Sequence, residues 1–152
     1  MKRPPPVVVG GATLDILGGP AAGRNLVLET SNPGEVHQRF GGVARNVAEC
    51  MSRLGSRPVL LSAVGADIAG DGLVQHMQSV GMDTQGIQRC EGMRTATYAA
   101  LFDGSGDLVT AVADMDIIDE VVSLSFRCCP PVDDTDALIA DKPTVSGSSG
   151  QV

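Results

Sequence analysis

The chain has 152 residues, a formal net charge of −7, 43% apolar residues and no Trp. This length suits one domain with an aliphatic core, and an acidic chain without a basic patch argues against binding to DNA or RNA. No apolar stretch reaches the roughly 20 residues that span a bilayer, and no secretory signal follows residues 1–6, so we expect a cytoplasmic protein with no membrane partner. The two His and four Cys residues lack metal-ligand spacing, so we predict no metal site.

The start of the chain predicts a buried strand followed by a two-stranded excursion. Residues 7–9 form a β-branched run between three prolines and two glycines. Residues 26–29 and 36–40 flank the turn sequence at 31–34, Ser-Asn-Pro-Gly. Because this sequence strongly favours a turn, the two flanking segments are predicted to pair with each other.

Two helices and a second buried strand are predicted next. Apolar residues recur at helical spacing in two segments, each followed by a glycine that suits a left-handed C-cap: Val43, Val47, Met51 and Leu54 before Gly55, and Leu73, Met77 and Val80 before Gly81. Residues 59–64 between them are typical of a buried strand. Alternating strands and helices with short connections predict an α/β fold with a mainly parallel sheet.

The last predicted elements form a hairpin. Residues 95–102 and 108–112 are rich in strand formers and are separated by a polar loop of about five residues. After about residue 120 the periodicity ends, and prolines, aspartates and a Ser/Gly-rich terminus follow. We predict that residues 121–152 form a mostly disordered tail.

The strongest candidate for chemistry is the pair Gly41-Gly42, which runs directly into the first helix. Glycines let the backbone approach a ligand, and the free N–H groups of a helix N-terminus suit hydroxyl or anionic oxygens. Asn46, in the first helical turn, can exchange hydrogen bonds with a polyol. The structural alternative is a tight turn that merely packs against the helix.

Three aspartates are weaker candidates. Asp15 follows the first strand, where α/β proteins place ligand contacts, although it could instead be a loop or capping residue. Asp67 is predicted to cap the second helix. Asp114, near Asp116 after the hairpin, could bind a polar ligand or lie in a solvated loop. The chain has neither the GxGxxG motif of dinucleotide-binding proteins nor a Walker A motif.

Taken together and in order, these segments resemble the ribokinase/PfkB family. The resemblance covers roughly residues 6–119, and it is carried by Val8–Asp15, by Gly41–Ala48 with Leu54-Gly55, and by Val64–Asp67 with Gly70 and Gly72. It implies a ribokinase-like three-layer α/β fold with a mainly parallel sheet and a small β lid. Residues 1–120 would form this module, and the lid strands would lie at about 26–40.

Within the family, several short strings are similar to those of the pseudouridine kinases, among them the sequences at 31–34, 41–46, 60–65 and 114–117, and Thr97-Tyr98. Val43 stands where ribokinases often have Lys. The resemblance implies transfer of the ATP γ-phosphate to the 5′-hydroxyl of pseudouridine. Asp15 would hold ribose hydroxyls, and Gly41, Gly42 and Asn46 would shape the other side of the ribose site. Thr97 and Asp114 would line the same pocket.

The chain departs from the family where the catalytic half should follow. The family's C-terminal Gly-Ala-Gly-Asp motif, which carries the catalytic aspartate and the anion hole, is absent, so we predict no catalytic residue here. The sites for ATP with Mg²⁺ and for a monovalent cation would belong to the same missing half. We therefore expect a truncated kinase of marginal stability, with an exposed sheet edge that could pair with a second copy or another chain.

Three alternatives stay open from the sequence. The chain could belong to a kinase for another small molecule, such as ribose or inosine. It could instead be a non-catalytic binding or regulatory fragment that pairs with a full-length partner. A nicotinamide-dependent dehydrogenase is disfavoured by the missing glycine motif.

Overall fold

The computed structural model describes residues 4–121 and the backbone of residues 137–139, which include two four-stranded sheets, two helices and a further helical turn at 118–121. In chain order the elements are β1 (Val7–Val9), β2 (Thr13–Pro20), β3 (Gly34–Gly41), α1 (Val43–Arg53), β4 (Val59–Gly65), α2 (Ile68–Ser79), β5 (Ile87–Cys90), β6 (Thr97–Phe102), β7 (Leu108–Asp114) and β8 (Ala137–Ile139). Within residues 4–121, no helix is long and apolar enough to cross a membrane.

The first sheet, here called the body sheet, is parallel throughout and has the strand order β5-β4-β1-β8. Its central strands β1 and β4 are short apolar runs that are buried over most of their length. This is the expected composition of strands that are covered on both faces. The predicted α/β fold with a parallel sheet is thus confirmed.

Two apolar clusters cover the two faces of the body sheet. One lies beneath the helices and contains Ala48 of α1 and Leu73 of α2, packed against Leu60 of β4. The other lies on the opposite face, where Leu61 of β4 packs with Ile117 and Val121. The alternation along β4 sends successive side chains into opposite clusters, so one strand supplies both layers of the core.

The second sheet, here called the lid sheet, has the order β3-β2-β6-β7. Its central strand β2 pairs antiparallel with β3 and parallel with β6, while β6 pairs antiparallel with β7. The hairpin prediction for β6 and β7 is confirmed, including a five-residue connection at 103–107. This sheet is much more exposed than the body sheet, because most residues of β3 and β7 are open to solvent.

The predicted strand at residues 26–29 was wrong, because the partner of β3 is β2. The Asn32 side chain explains the difference: its Oδ1 accepts from the N–H of Val27 at 2.8 Å, and its Nδ2 donates to the carbonyl of Val27 at 2.7 Å. These bonds occupy the backbone groups that a strand would use. Glu29 also has a φ of 61°, which breaks an extended chain.

The helix ends agree with the sequence. Gly55 and Gly81 have φ angles of 84° and 80°, as left-handed C-terminal glycines require. Asp67 caps α2 by accepting a hydrogen bond from the N–H of Gly70 at 2.8 Å. The four-residue strand β5 was not predicted.

The predicted disordered tail at 121–152 lies mostly outside the described residues. Within it, Ala137–Ile139 form β8 and pair in parallel with β1. No strand was expected there from the sequence. This strand adds a second neighbour to β1, which makes β1 a central strand of the body sheet.

Candidate functional site

The sequence suggested that Asp15 follows the first strand, in a loop or at a cap. In the structure it lies on β2. Its Oδ1 accepts a hydrogen bond from the hydroxyl of Thr13 at 2.8 Å. Its carboxylate rests directly against the backbone of Gly41, so that any Cβ at position 41 would clash with Oδ2. The pairing of Thr13 with Gly41 brings the two segments into this contact. A residue other than glycine at position 41 would therefore displace the carboxylate of Asp15.

Gly42 joins the lid sheet to α1 in a conformation that only glycine adopts easily. Its φ is 94°, and a Cβ there would overlap the carbonyl oxygen of Gly11 and lie 2.8 Å from the Cα of Ala12. Gly42 also offers no side chain to cap α1, and the first turn carries no acidic residue. Gly42 therefore provides no side-chain acceptor for the N–H groups at the start of α1. The carboxylate of Asp15 lies next to this end of the helix, against Gly41.

Asn46 and Arg45 follow in the first turn of α1. The backbone N–H of Asn46 donates to the carbonyl of Gly42 at 2.9 Å, which begins the helical ladder. Its side-chain Oδ1 accepts a hydrogen bond from the guanidinium of Arg45. Arg45 is buried, and it also donates to the carbonyl oxygens of Phe40 and Gly41 at 2.8 and 2.9 Å. The structure thus gathers Asp15, Gly41, Gly42 and Asn46 around the start of α1.

Glu49 connects this turn to the second helix. Its carboxylate accepts hydrogen bonds from Arg45, from Arg53 at 2.7 and 2.8 Å, and from His76 of α2 at 3.3 Å. The hydrogen bond from Arg53, supported by those from Arg45 and His76, lowers the pKa of Glu49 to about 2 against the opposing effect of partial burial. Glu49 is therefore ionised at all but strongly acidic pH.

Thr97 and Asp114 are not brought together with Asp15. Directly opposed residues of a sheet share a face, and successive residues alternate. Thr97 is opposite Leu14 and Asp114, whereas Asp15 is opposite other residues of the same strands. The Thr97 hydroxyl donates to the carbonyl of Thr95 at 3.0 Å, and Arg94 donates to Asp114 at 2.7 Å. The two candidates therefore lie on the face of the lid sheet opposite to that of Asp15.

Two residues that the sequence analysis did not select share the face of Asp15. Arg39 of β3 and Tyr98 of β6 are its direct neighbours on the two adjacent strands. Tyr98 is half-buried and is the only tyrosine of the chain. Its position depends on the β2–β6 register, and no short-range signal in the sequence gives the register of strands so far apart.

Asp67 has the structural role predicted for it. Besides Gly70, it accepts hydrogen bonds from the N–H of Thr95 at 2.8 Å and from the Thr95 hydroxyl at 2.6 Å. Partial burial alone would raise the pKa of Asp67, but the hydrogen bonds from Thr95 and Gly70 outweigh it and lower the pKa. Since Thr95 leads into β6, Asp67 fixes the point where the lid sheet joins the body sheet.

The sites for ATP with Mg²⁺ and for a monovalent cation are predicted to lie outside the described residues, and this stays a prediction. Among the described residues, no cluster of three or more His, Cys, Asp or Glu side chains is arranged to hold a metal ion. They also include no counterpart of the Gly-Ala-Gly-Asp motif. Within residues 4–121, the candidate site brings together one carboxylate, one amide and a helix N-terminus.

Comparison with known proteins gives a family for this arrangement. The model of the pfkB family of carbohydrate kinases matches residues 7–126. The chain is 32% identical over 117 residues to pseudouridine kinase from Escherichia coli. The aligned region covers 77% of this chain and 37% of that protein. It is 28% identical over 118 residues to guanosine-inosine kinase from Exiguobacterium acetylicum. Here the aligned region covers 76% of this chain and 38% of that protein.

A solved structure agrees with the sequence comparison. The crystal structure of a protein assigned as a sugar kinase from Clostridium perfringens superposes with a TM-score of 0.72 at 33% identity. The superposition covers 84% of this chain and 40% of that protein. The chain thus spans about two fifths of the length of the proteins that it matches.

Proposed function

The chain belongs to the pfkB family of carbohydrate kinases, and on this premise we propose that residues 1–120 form the acceptor-binding part of a pseudouridine kinase. The whole reaction would transfer the γ-phosphate of ATP to the 5′-hydroxyl of the nucleoside. This chain would contribute the recognition of the ribose, and the chemistry would depend on a catalytic half that its sequence does not contain.

The observation that carries the proposal is the contact between Asp15 and the Gly41-Gly42 pair. A carboxylate accepts hydrogen bonds from neighbouring hydroxyl groups, and one of the Asp15 oxygens already accepts from Thr13. The two glycines let the Asp15 carboxylate and the backbone of Gly11 and Ala12 pack closely against the start of α1, which places the acceptor oxygens of Asp15 beside the helix N-terminus. Ribose, with adjacent hydroxyl groups and no charge, suits such a combination.

Tyr98 extends the proposed site along the lid sheet. Its ring lies on the same face as Asp15, one strand away. An aromatic ring beside a ribose site suits contact with the face of a nucleobase, because every base presents a π-face. The lid sheet would then cover the nucleoside and exclude water from it.

We assign no catalytic residue within this chain. A general base for the 5′-hydroxyl and donors for the developing phosphate charge are both required for phosphoryl transfer. Asp15, Asn46 and the two glycines serve in this proposal only to bind and orient the ribose. Thr97 and Asp114 are left out of the ribose contacts, since they lie on the other face of the lid sheet.

Isothermal titration of the purified chain with pseudouridine tests the proposal, with uridine and ribose as competitors. We expect pseudouridine to bind more tightly than either, and Asp15→Asn to weaken binding by roughly tenfold or more, since one charged acceptor is lost. Asp107→Asn is the matched control, because Asp107 is an exposed residue of the β6–β7 loop. Equal loss in both variants, or no binding of any nucleoside or sugar, would contradict the proposal.

A purine nucleoside is the second candidate substrate. The similarity to guanosine-inosine kinase covers nearly the same share of the chain as that to pseudouridine kinase, at a slightly lower identity. Including guanosine and inosine in the titration separates the two candidates. Preferential binding of inosine would support the proposed ribose contacts and show that the accepted base is a purine.

A further inference from the structure

Arg45 is a buried cation whose hydrogen bonds all go to residues at the end of β3 and on α1. It is 5% exposed, and its guanidinium donates to the carbonyls of Phe40 and Gly41, to Glu49 and to the side chain of Asn46. The two carbonyls belong to the end of β3, while Glu49 and Asn46 belong to α1. Arg45 therefore fixes the junction between the lid sheet and the helix that carries the candidate site.

The contact with Arg45 decides which way the Asn46 amide faces. A guanidinium has five donors and no acceptor, so only the oxygen of an amide can face it. Asn46 accordingly directs Oδ1 towards Arg45. In the part of the chain that the structure describes, its Nδ2 has no hydrogen-bond partner. The group that Asn46 has left for a ligand is thus an N–H donor.

Glu49 holds Arg45 in place from the other side. Its carboxylate is shared by Arg45, Arg53 and His76, so the guanidinium is anchored to α1 and, through His76, to α2. The ring of Phe40, whose carbonyl also accepts from Arg45, lies 5.1 Å from the ring of His76. An arginine with this many fixed partners has little freedom to rotate, and neither has the amide that it contacts.

We infer that Arg45 is a positioning residue that fixes Asn46 as a hydrogen-bond donor to the substrate. The inference rests on the proposed function and makes it more specific. Asp15 supplies only acceptors, and Asn46, held by Arg45, supplies only a donor. The site would therefore select a ligand with a hydroxyl that donates to Asp15 and an oxygen that accepts from Asn46, as two adjacent hydroxyl groups of a ribose do.

Three variants test this inference by titration with pseudouridine. Arg45→Lys removes the guanidinium N–H that donates to Asn46, and we expect a loss of affinity of about tenfold. Asn46→Asp keeps an oxygen facing Arg45 but replaces the donor with an acceptor, and we expect a similar loss or a greater one. Arg53→Lys is the control, because Arg53 shares Glu49 but has no contact with Asn46, and its affinity should stay within twofold of the unmodified chain.

The ¹⁵N relaxation of the Asn46 side-chain amide, measured without ligand, reports how rigidly the amide is held. In the unmodified chain and in Arg53→Lys, we expect an order parameter near that of rigid backbone, about 0.85, and in Arg45→Lys a value below about 0.6. Melting curves of all variants separate loss of position from loss of fold.

The outcomes distinguish the two proposals. If pseudouridine binds but Arg45→Lys weakens binding equally with and without Asn46→Ala, Arg45 has only a structural role and the inference is overturned. If no nucleoside or sugar binds, the proposed function fails and with it the role of Asn46 as a donor to the substrate. A rigid amide that is mobilised only by Arg45→Lys would then support only the part of the inference by which Arg45 positions Asn46. An amide that is equally mobile in all variants overturns it.

Discussion

The body sheet and the lid sheet are built from similar numbers of strands but are stabilised in different ways. In the body sheet, β4 is buried along nearly its whole length, with apolar clusters on both faces. In the lid sheet, six of the eight residues of β3 and six of the seven of β7 are exposed. The body therefore depends on apolar burial, whereas the lid depends mainly on its backbone ladder and on the body to which it is joined.

This difference explains where the candidate site lies. Asp15 is on the lid strand β2, near its start, and Gly41-Gly42 stand at the end of β3 and the start of α1. The candidate site thus lies where the exposed lid sheet meets α1, which packs on the buried body sheet. Under the proposed function, a polar ligand would bind against α1 beneath the lid sheet.

The largest effect should come from the core of the body. Leu73→Ala removes a fully buried side chain from the cluster beneath the helices, so we expect a loss of about 2–5 kcal/mol in the free energy of unfolding. Val112→Ala on β7, where the side chain is 71% exposed, should change it by no more than about 0.5 kcal/mol. Urea unfolding followed by circular dichroism measures both. Similar losses would show that the lid has a core of its own.

The next effect concerns the junction between the lid sheet and α1. Gly42→Ala forces a Cβ into the backbone of Gly11 and Ala12 at a φ of 94°, and we expect a cost of roughly 2–4 kcal/mol. Gly55→Ala is the matched control, since Gly55 has a φ of 84° but open space around it, and it should cost only about 1 kcal/mol. The same unfolding experiment compares them, and equal costs would mean that the junction tolerates the added methyl group.

The smallest effect is the pH dependence that Glu49 of α1 gives to the stability of the body. The folded-state pKa of Glu49, about 2, lies below its ordinary value of 4.5. A depressed pKa stabilises the fold above pH 4.5, and this contribution is lost as the pH falls from 4.5 towards 2. We expect Glu49→Gln to remove about 2 kcal/mol at pH 7 and much less near pH 2.

The ion pair between Glu35 and His37 on β3 provides the comparison in the lid. Both side chains are mostly exposed, at 77% and 59%. Exposed pairs contribute little to stability, so Glu35→Gln should change the free energy of unfolding by no more than about 0.5 kcal/mol. A pH-dependent loss in this variant as large as that of Glu49→Gln would contradict the proposed contrast.

The parts of the fold that depend on local chemistry could be predicted from the sequence. The helices α1 and α2 follow from apolar spacing, and their ends from Gly55, Gly81 and Asp67. The hairpin of β6 and β7 follows from its polar loop. In each case the signal and the structure that it specifies lie within a few residues of each other.

The parts that depend on distant pairing could not be predicted. The partner of β3 was misassigned because a single side chain, Asn32, binds the backbone of Val27 and withdraws it from any sheet. The separation of Thr97 from Asp15 depends on a register that no turn determines. The role of Arg45 was missed for a similar reason, since its acceptors include backbone carbonyls that acquire their positions only in the folded chain.

The parallel pairing of β2 with β6 has a consequence for the order in which the molecule assembles. Leu14 and Thr97 are about 80 residues apart in the chain, whereas β3, α1, β4 and α2 follow each other closely, and contacts of large sequence separation form slowly. We expect the helices to gain protection early in folding and the β2–β6 ladder to close after them. Asp15 and Tyr98 would then become neighbours only after the helices have formed, so a partly folded chain would have its helices before it had the proposed binding face.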